Sequence, residues 1–170
     1  DTLLRAFDAV SPNLPQNMRL VMVGDGPDAA EFKALASSLD CASRIEFAGY
    51  QTGDALQTYV ERASLAISSS RCRENMPYSI VEAFAAGTPV VGANIGGIPE
   101  LVDEGNTGFI CEPGDIQSMA DAVSRGVSEF LEQPAYARLQ HNCRSYVTDN
   151  CSREKFMNDL VDLYKESIDG

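Results

Sequence analysis

Short apolar runs alternate with stretches of helical periodicity along most of this sequence. Each run of β-branched and other apolar residues predicts a buried strand, and each periodic stretch predicts a helix. We predict five strands, at 20–24, 44–49, 65–69, 89–93 and 107–111. The helices between them are predicted at about 27–39, 54–63, 78–86 and 98–104. Beyond the fifth strand the pattern is helical throughout, with helices at about 116–132, 134–147 and 153–168.

This alternation of short apolar strands with helices predicts the fold class. Strands that are apolar on both faces are typical of parallel sheets covered by helices. We therefore expect one α/β domain with a doubly wound parallel sheet flanked by helices. Right-handed crossovers would align the carboxyl ends of the strands along one edge, where ligands bind in open α/β sheets.

The beginning of the sequence departs from this order. Residues 1–10 have apolar positions at helical spacing, yet no strand precedes them. The first residues have neither an initiator methionine nor the basic-then-apolar pattern of a signal peptide. We therefore expect the sequence to be part of a longer protein, with a further strand before Asp1.

Composition and charge exclude several classes of function. The 170 residues carry a formal net charge of −12, whereas a protein that binds a nucleic-acid polymer needs a basic face. No apolar run approaches the roughly 20 residues that span a bilayer, so we predict no membrane segment in this chain. The five cysteines form no C-x-x-C pair and are interpreted as small apolar residues in a reducing compartment. The one histidine, His141, belongs to no recognisable catalytic triad and is interpreted as a surface residue.

Two glutamates flank a predicted helix start in the segment from 68 to 99. Pro77 is typical of the first helical turn, so Glu74 should lie in the loop before the helix. Glu82 should then lie about 7.5 Å along the helix axis. Two acceptors at that separation suit a ligand with hydroxyl groups at both ends and phosphates between them. The N–H groups and the positive end of the helix dipole would face the phosphates.

Proline has no N–H, so four donors remain at this helix start. They are the backbone groups of Asn75, Met76, Tyr78 and Ser79. The alternative is that Glu82 is a solvated residue on a helix surface and that Glu74 only favours the helix dipole. Against it, Glu82 lies in an otherwise small and apolar helix, where a carboxylate without partners is costly. The glycine pair at 96–97, which opens another short helix, is a second candidate anion-binding loop.

Several motifs, in order and spacing, resemble the retaining glycosyltransferases of family four. They are V-G-D-G-P at 23–27, F-A-G at 47–49, E-N-M-P-Y-S-I-V-E-A at 74–83, G-T-P-V-V at 87–91, G-G-I-P-E-L-V at 96–102 and N-T-G-F at 106–109. The resemblance covers roughly residues 20–165. It implies a Rossmann-like domain that is one half of the two-domain GT-B architecture. Residues 1–170 would be its C-terminal, nucleotide-sugar-binding domain, ending in helices at about 134–168.

The resemblance also implies a ligand and the residues that contact it. The donor would be a nucleotide diphosphate sugar, such as a UDP- or GDP-sugar, bound without a metal or other cofactor. Glu74 would contact the donor sugar at the catalytic centre, Glu82 the ribose, and the segment at Tyr50 the base. The remaining contacts to the nucleotide sugar would come from the backbone of Asn75, Met76, Gly24, Gly26 and Gly97.

Two parts of the family's pattern are absent from this sequence. The G-R-x-x-x-x-K-G stretch that binds the diphosphate does not precede Asp1, and the N-terminal acceptor domain with its histidine is missing. Arg71 and Arg73 are candidates to offset the lost charge, unless they are ordinary surface arginines. We expect this chain to be inactive alone. A sugar, lipid or polysaccharide acceptor, and any attachment of this cytoplasmic enzyme to the inner membrane face, would involve the absent domain.

Two other interpretations remain open. A nucleotide-sugar 2-epimerase or a phosphorylase can share the two-domain architecture, although the motif spacing argues against both. A non-catalytic domain used for protein association is the other hypothesis, and the presence of both Glu74 and Glu82 argues against it.

Overall fold

Five strands and eight α-helices lie within residues 1–169, the part of the chain that this computed structural model describes, and they alternate as far as the fifth strand. The strands are β1 (Leu20–Val23), β2 (Ile45–Gly49), β3 (Ala66–Ser68), β4 (Val90–Ala93) and β5 (Gly108–Cys111). The helices are α1 (Thr2–Val10), α2 (Ala29–Ser37), α3 (Gly53–Arg62), α4 (Tyr78–Ala86), α5 (Ile98–Leu101), α6 (Ile116–Leu131), α7 (Gln133–Asn150) and α8 (Arg153–Asp169). Every predicted strand and helix is present, with bounds close to those expected.

Hydrogen bonds between the strands divide them into two groups. β1 pairs with β2, beginning with Leu20 opposite Ile45. β4 lies between β3 and β5, with Val90 opposite both Ala66 and Gly108. All pairs are parallel, as predicted. The single continuous sheet that we expected is not formed, because no strand within residues 1–169 pairs with both β1 and β3.

Residues of β4 alternate between two hydrophobic cores, one on each face of the three-stranded group. Val91 and Ala93 belong to the core that contains buried residues of α1 and α6. Val90 belongs to the core that contains buried residues of α4 and α5. On that second face a Cβ on Gly92 would lie 2.6 Å from Cγ2 of Ile98. Helix α5 therefore packs directly against the backbone of Gly92. Helices therefore cover both faces, as the apolar strands predicted.

Arg44 links the start of β2 to the chain that leaves α1. Its guanidinium donates to the carbonyl oxygens of Ser11, Pro15 and Met18 at 2.7, 2.7 and 2.9 Å. The same group lies 5.6 Å from the centre of the Phe7 ring. The planar, five-donor guanidinium suits this divergent set of acceptors.

We expect Arg44→Lys to lower the free energy of unfolding by about 2 kcal/mol, because an ammonium group cannot reach three separate carbonyl groups and leaves part-buried acceptors unpaired. Arg19→Lys is the matched control, since Arg19 is exposed and makes one hydrogen bond, to the carbonyl oxygen of Ser43 at 3.0 Å. Its effect should stay within about 0.5 kcal/mol. Urea unfolding measures both variants, and equal effects would contradict the anchoring role of Arg44.

Candidate functional site

The loops that follow the carboxyl ends of the strands carry almost all of the predicted site residues. Gly24 and Gly26 follow β1, Tyr50 follows β2, the loop of Glu74 follows β3 and Gly97 follows β4. Because the strands within each group are parallel, each group presents its loops at one edge. Glu82 is the exception and lies within α4.

The start of α4 presents backbone donors that have no hydrogen-bond partner within the described residues, 1–169. Pro77 is buried and precedes the first helical residue in an extended conformation, with φ −68° and ψ 109°. No side chain caps this end, and no acidic residue lies in the first turn. Four N–H groups on either side of Pro77 donate to no acceptor within residues 1–169. They belong to Asn75, Met76, Tyr78 and Ser79. Unpaired N–H groups at the positive end of a helix form a ready binding site for an anion.

The other end of α4 is closed by hydrogen bonds. Gly87 has a φ of +80°, the left-handed conformation that ends many helices, and Thr88 N–H donates to the carbonyl oxygen of Ala83 at 2.8 Å. Arg144, from α7, donates to the carbonyl oxygen of Ala86 at 2.9 Å. A cation at this end also favours the helix dipole. The carboxyl end of α4 is therefore held by hydrogen bonds within the fold, whereas its first turn is open to a ligand.

The glycine pair at 96–97 supports the loop of Glu74 by direct backbone contact. Gly97 N–H donates to the carbonyl oxygen of Glu74 at 2.7 Å. A Cβ on Gly97 would overlap the carbonyl oxygen of Asn75, and one on Gly96 would lie 2.5 Å from that of Glu74. The N–H of Gly97 is thus used within the chain. This supporting role is not among the predicted roles of Gly97, although a doubled glycine is typical of a place where two loops approach each other closely.

Both candidate glutamates are exposed, and neither side chain forms a hydrogen bond or ion pair within residues 1–169. The premise that Glu82 is desolvated in its apolar helix is wrong. The buried residues Ile80, Ala83 and Phe84 face the core, whereas Glu82 lies on the solvent side of α4. Both carboxylates are accessible to a ligand, and their roles in binding stay predictions.

The residues predicted for the site form two separate clusters. In the first, here called the α4 cluster, the loop of Glu74, Asn75 and Met76 contacts Gly97. The second, the β1 cluster, consists of Gly24, Gly26 and Tyr50. There Gly24 N–H donates to the carbonyl oxygen of Gly49, the residue before Tyr50, at 2.8 Å. Tyr50 is 76% exposed, so its ring is accessible for stacking against a ligand. No hydrogen bond within residues 1–169 joins one cluster to the other.

Arg71 is directed towards the start of α1. One Nη atom lies 3.8 Å from a carboxylate oxygen of Asp1 and 3.4 Å from the hydroxyl oxygen of Thr2. Arg73 is exposed and forms no ion pair within the described residues. Of the two arginines, Arg73 is therefore the one whose charge is not already directed at a carboxylate of this chain.

Other surface features do not involve the predicted site. An open groove of about 770 Å³ lies between α5, the chain leading to β5, and α7, and it contains none of the predicted residues. His141 is exposed on α7, as expected. No helix within residues 1–169 combines the length and the apolar character needed to cross a membrane.

Burial raises the pKa of four cysteines, including the half-buried Cys151, and leaves the fifth exposed beside the α4 cluster. Desolvation raises the pKa of Cys41 to about 11, of Cys111 to about 11 and of Cys143 to about 12. Cys72 is exposed in the loop just before Glu74. Because a thiolate is the reactive form, the three buried thiols are protected by both access and protonation.

We expect a thiol-reactive disulfide reagent at about pH 8 to modify Cys72 rapidly and the three buried cysteines only on unfolding. Cys151 is half-buried, so the test is made in a Cys151→Ser background, where Cys72→Ser should remove the fast phase. The unfolded chain releases thiol protons from about pH 9, and the folded chain only near pH 11 to 12. Stability should therefore be lost as the pH rises through this interval. Fast modification of any buried cysteine in the folded chain would contradict the described core.

Comparison with known proteins gives consistent matches. The family profile described as Glycosyl transferases group 1 matches residues 1–149. N-acetyl-alpha-D-glucosaminyl L-malate synthase of Bacillus anthracis is 28% identical over 150 residues, which cover 88% of this chain and 38% of that protein. D-inositol 3-phosphate glycosyltransferase of Rhodococcus jostii is 34% identical over 135 residues, which cover 76% of this chain and 30% of that protein. The chain thus spans well under half the length of these relatives.

Solved structures match over nearly the whole chain. Anabaena HepE in complex with UDP has a TM-score of 0.80 and 22% identity, covering 97% of this chain and 44% of that one. A glycosyltransferase of Rickettsia africae has a TM-score of 0.82 and 24% identity, covering 97% and 43%. These likenesses show that the α/β fold, with its parallel strands flanked by helices, is that of glycosyltransferase structures. By its sequence, this chain belongs to the glycosyl transferases group 1 family.

Proposed function

We propose that this chain is the C-terminal, nucleotide-sugar-binding domain of a family-four retaining glycosyltransferase. The observation that carries the proposal is the set of unpartnered N–H groups at the start of α4, with an accessible carboxylate on either side. An anionic ligand with hydroxyl groups at both ends fits this arrangement. A nucleotide diphosphate sugar is such a ligand. Membership of the glycosyl transferases group 1 family favours a domain that binds this ligand over a non-catalytic domain used for protein association.

The diphosphate would lie against the first turn of α4. Its negative charge would be stabilised by the N–H groups and by the positive end of the helix dipole, without a need for a metal ion. Arg73 would add a cation. Glu74 would accept hydrogen bonds from hydroxyl groups of the donor sugar, and Glu82 from the ribose. Tyr50 and the β1 cluster would contact the base and its flanking atoms.

In the transfer step the bond between the anomeric carbon and the phosphate oxygen breaks. Electrons move to the phosphate oxygen while the sugar acquires oxocarbenium character. The N–H groups before and in the first turn of α4 would lie beside the phosphate oxygen on which charge develops, and they would then stabilise the transition state more than the ground state. The acceptor hydroxyl oxygen would form the new bond on the face that the leaving group vacates, and its proton would pass to the departing phosphate oxygen, so that the anomeric configuration is retained.

The identity of the donor is proposed from chemistry shared with the similar proteins. The Anabaena structure is described as a complex with UDP, and a related structure of the same protein as a complex with UDP-glucose. A mannosyltransferase of Mycobacterium tuberculosis that is 31% identical is described as GDP-mannose-dependent. We propose a UDP- or GDP-sugar for this chain. The complete enzyme would be cytoplasmic and transfer the sugar to a sugar, lipid or polysaccharide acceptor held by an N-terminal domain, and this chain alone would be inactive.

Calorimetric titration of the complete protein with UDP and with GDP tests the proposal. One of the two nucleotides should bind, and Glu82→Ala should weaken that binding about tenfold, or about 1.4 kcal/mol, by removing a charge-assisted hydrogen bond. Glu154→Ala is the matched control, because Glu154 is an exposed glutamate in the first turn of α8. The Glu154→Ala protein should bind the nucleotide with an unchanged binding constant. If the complete protein bound neither nucleotide, the proposed function would be wrong.

A further inference from the structure

Strand β5 lies at the end of the three-stranded group, so one of its edges has no partner strand within residues 1–169. Its other edge pairs with β4, where the carbonyl oxygen of Cys111 accepts a hydrogen bond from Asn94 N–H at 2.8 Å. Successive residues of a strand direct their backbone groups to opposite edges. The backbone groups of Gly108 and Ile110 therefore face the open edge, which is the kind of edge at which another chain can add a strand.

The outward backbone groups of β5 are already used in hydrogen bonds within the chain. Ile110 N–H donates to Oε2 of Glu104 at 2.7 Å. The carbonyl oxygen of Ile110 accepts from the guanidinium of Arg125 at 3.1 Å. Next to it, the carbonyl oxygen of Gly108 accepts from Gly105 N–H at 2.8 Å. Both groups with which Ile110 could bind a further strand are thus occupied by side chains.

Glu104 and Arg125, here called the β5 clasp, reach this edge from two directions. Glu104 belongs to the chain that leads into β5 and forms an isolated parallel bridge with Gly108. Arg125 belongs to α6, and its guanidinium lies 5.4 Å from the centre of the Phe109 ring. The two side chains form an ion pair and are each about half exposed. Because such a pair contributes little to stability by its charges alone, its placement across the backbone of Ile110 needs another explanation.

We propose that the β5 clasp closes the free edge of the three-stranded group against pairing with a second copy of this chain. The sequence of β5, G-F-I-C, contains neither a charged residue nor a proline that would deter pairing. Glu104 and Arg125 supply that charge from outside the strand. An incoming strand would have to displace both side chains before it could bond to Ile110. This inference goes beyond the proposed function, since neither clasp residue belongs to the α4 cluster or the β1 cluster.

The test removes the β5 clasp from the complete protein by combining Glu104→Ala with Arg125→Ala, which leaves the net charge unchanged. The matched control combines Lys155→Ala with Asp159→Ala, because these residues form another exposed ion pair, within α8. A third protein adds Ile110→Pro to the clasp-free variant. Since the N–H of Ile110 faces the open edge, proline at this position removes no hydrogen bond to β4 and blocks the pairing of a further strand. Hydrogen exchange of the Ile110 amide and sedimentation velocity over a series of concentrations are measured for each protein.

We expect the dilute clasp-free protein to exchange the Ile110 amide about tenfold faster than the unaltered protein, because the amide has lost its acceptor. At higher concentration the clasp-free protein should form assemblies where the unaltered protein keeps its mass. The control should show neither change, and Ile110→Pro should restore the original mass. An unchanged exchange rate or an unchanged mass would overturn the proposal, as would assembly that persists with Ile110→Pro or occurs equally in the control.

Single variants at position 104 decide the question if the clasp-free protein does not fold. Glu104→Gln keeps an acceptor for Ile110 N–H, whereas Glu104→Ala does not. Only the alanine variant should exchange the Ile110 amide faster and assemble as the concentration rises. Equal behaviour of the two variants would show that the hydrogen bond to Ile110 does not close the edge, and would overturn the proposal.

Discussion

Gly97→Ala should destabilise the chain by about 3 kcal/mol and weaken nucleotide binding in the same variant. The new methyl group would overlap the carbonyl oxygen of Asn75, while the N–H of the same residue is bonded to the carbonyl oxygen of Glu74. The φ of Gly97 is −84°, which alanine adopts readily, so the effect is steric and not conformational. To relieve the overlap, the two loops must separate, and the N–H groups before α4 must move with them.

Gly26→Ala provides the control for this prediction. A Cβ on Gly26 would meet no atom within 4 Å, and its φ does not lie in the left-handed region. We expect a change within about 0.5 kcal/mol. Gly26→Ala is a control for stability alone, because Gly26 belongs to the β1 cluster that is proposed to contact the ligand. Urea unfolding of both variants measures stability, and UDP and GDP titration of the complete Gly97→Ala protein measures binding. For Gly97→Ala the midpoint of thermal unfolding should fall by roughly 6–12 °C. A Gly97→Ala chain as stable as Gly26→Ala would contradict the described packing of the two loops.

The fold was predictable because each strand is a short apolar run bounded by turn residues, a local signal. The division of the strands into two groups was not predictable, since pairing is decided by which edges meet in space. The apolar character of β1, with Val21 and Val23 alternating around Met22, predicted burial on both faces. Only the structure shows that both valines are more than a third exposed.

The candidate site was predictable in its donors and only partly in its geometry. The N–H groups before and after Pro77 follow from proline chemistry and from the start of a helix. The error about Glu82 has a simple cause. The buried residues Ile80, Ala83, Phe84 and Gly87 follow the helical spacing of three and four, which directs position 82 to solvent. The apolar composition around Glu82 suggests burial, whereas the spacing of the buried positions along the helix predicts that Glu82 is exposed. The backbone role of Gly97 depends on contact with a loop about twenty residues away, and the doubled glycine indicates a close approach without showing which loop is approached.

Phe84→Ala should be the most destabilising single change in α4, costing about 3–5 kcal/mol through the lost transfer energy and the cavity that remains. Phe84 is completely buried, and its ring meets that of Tyr146 edge to face at 5.6 Å between centres. The matched control is Phe156→Ala on α8, because Phe156 is 64% exposed and its truncation removes little buried area. We expect its effect to stay within about 0.5 kcal/mol.

Urea unfolding followed by circular dichroism measures both phenylalanine variants. If Phe84→Ala does not fold, Phe84→Leu preserves most of the volume and should cost about 1–1.5 kcal/mol. A partner that covers α8 would instead raise the cost of Phe156→Ala. Similar losses for Phe84→Ala and Phe156→Ala would therefore show that α8 is packed as a core helix. A large loss at Phe84 alone would mean that the packing between α4 and α7, which includes the contact of Phe84 with Tyr146, belongs to the core that stabilises the fold.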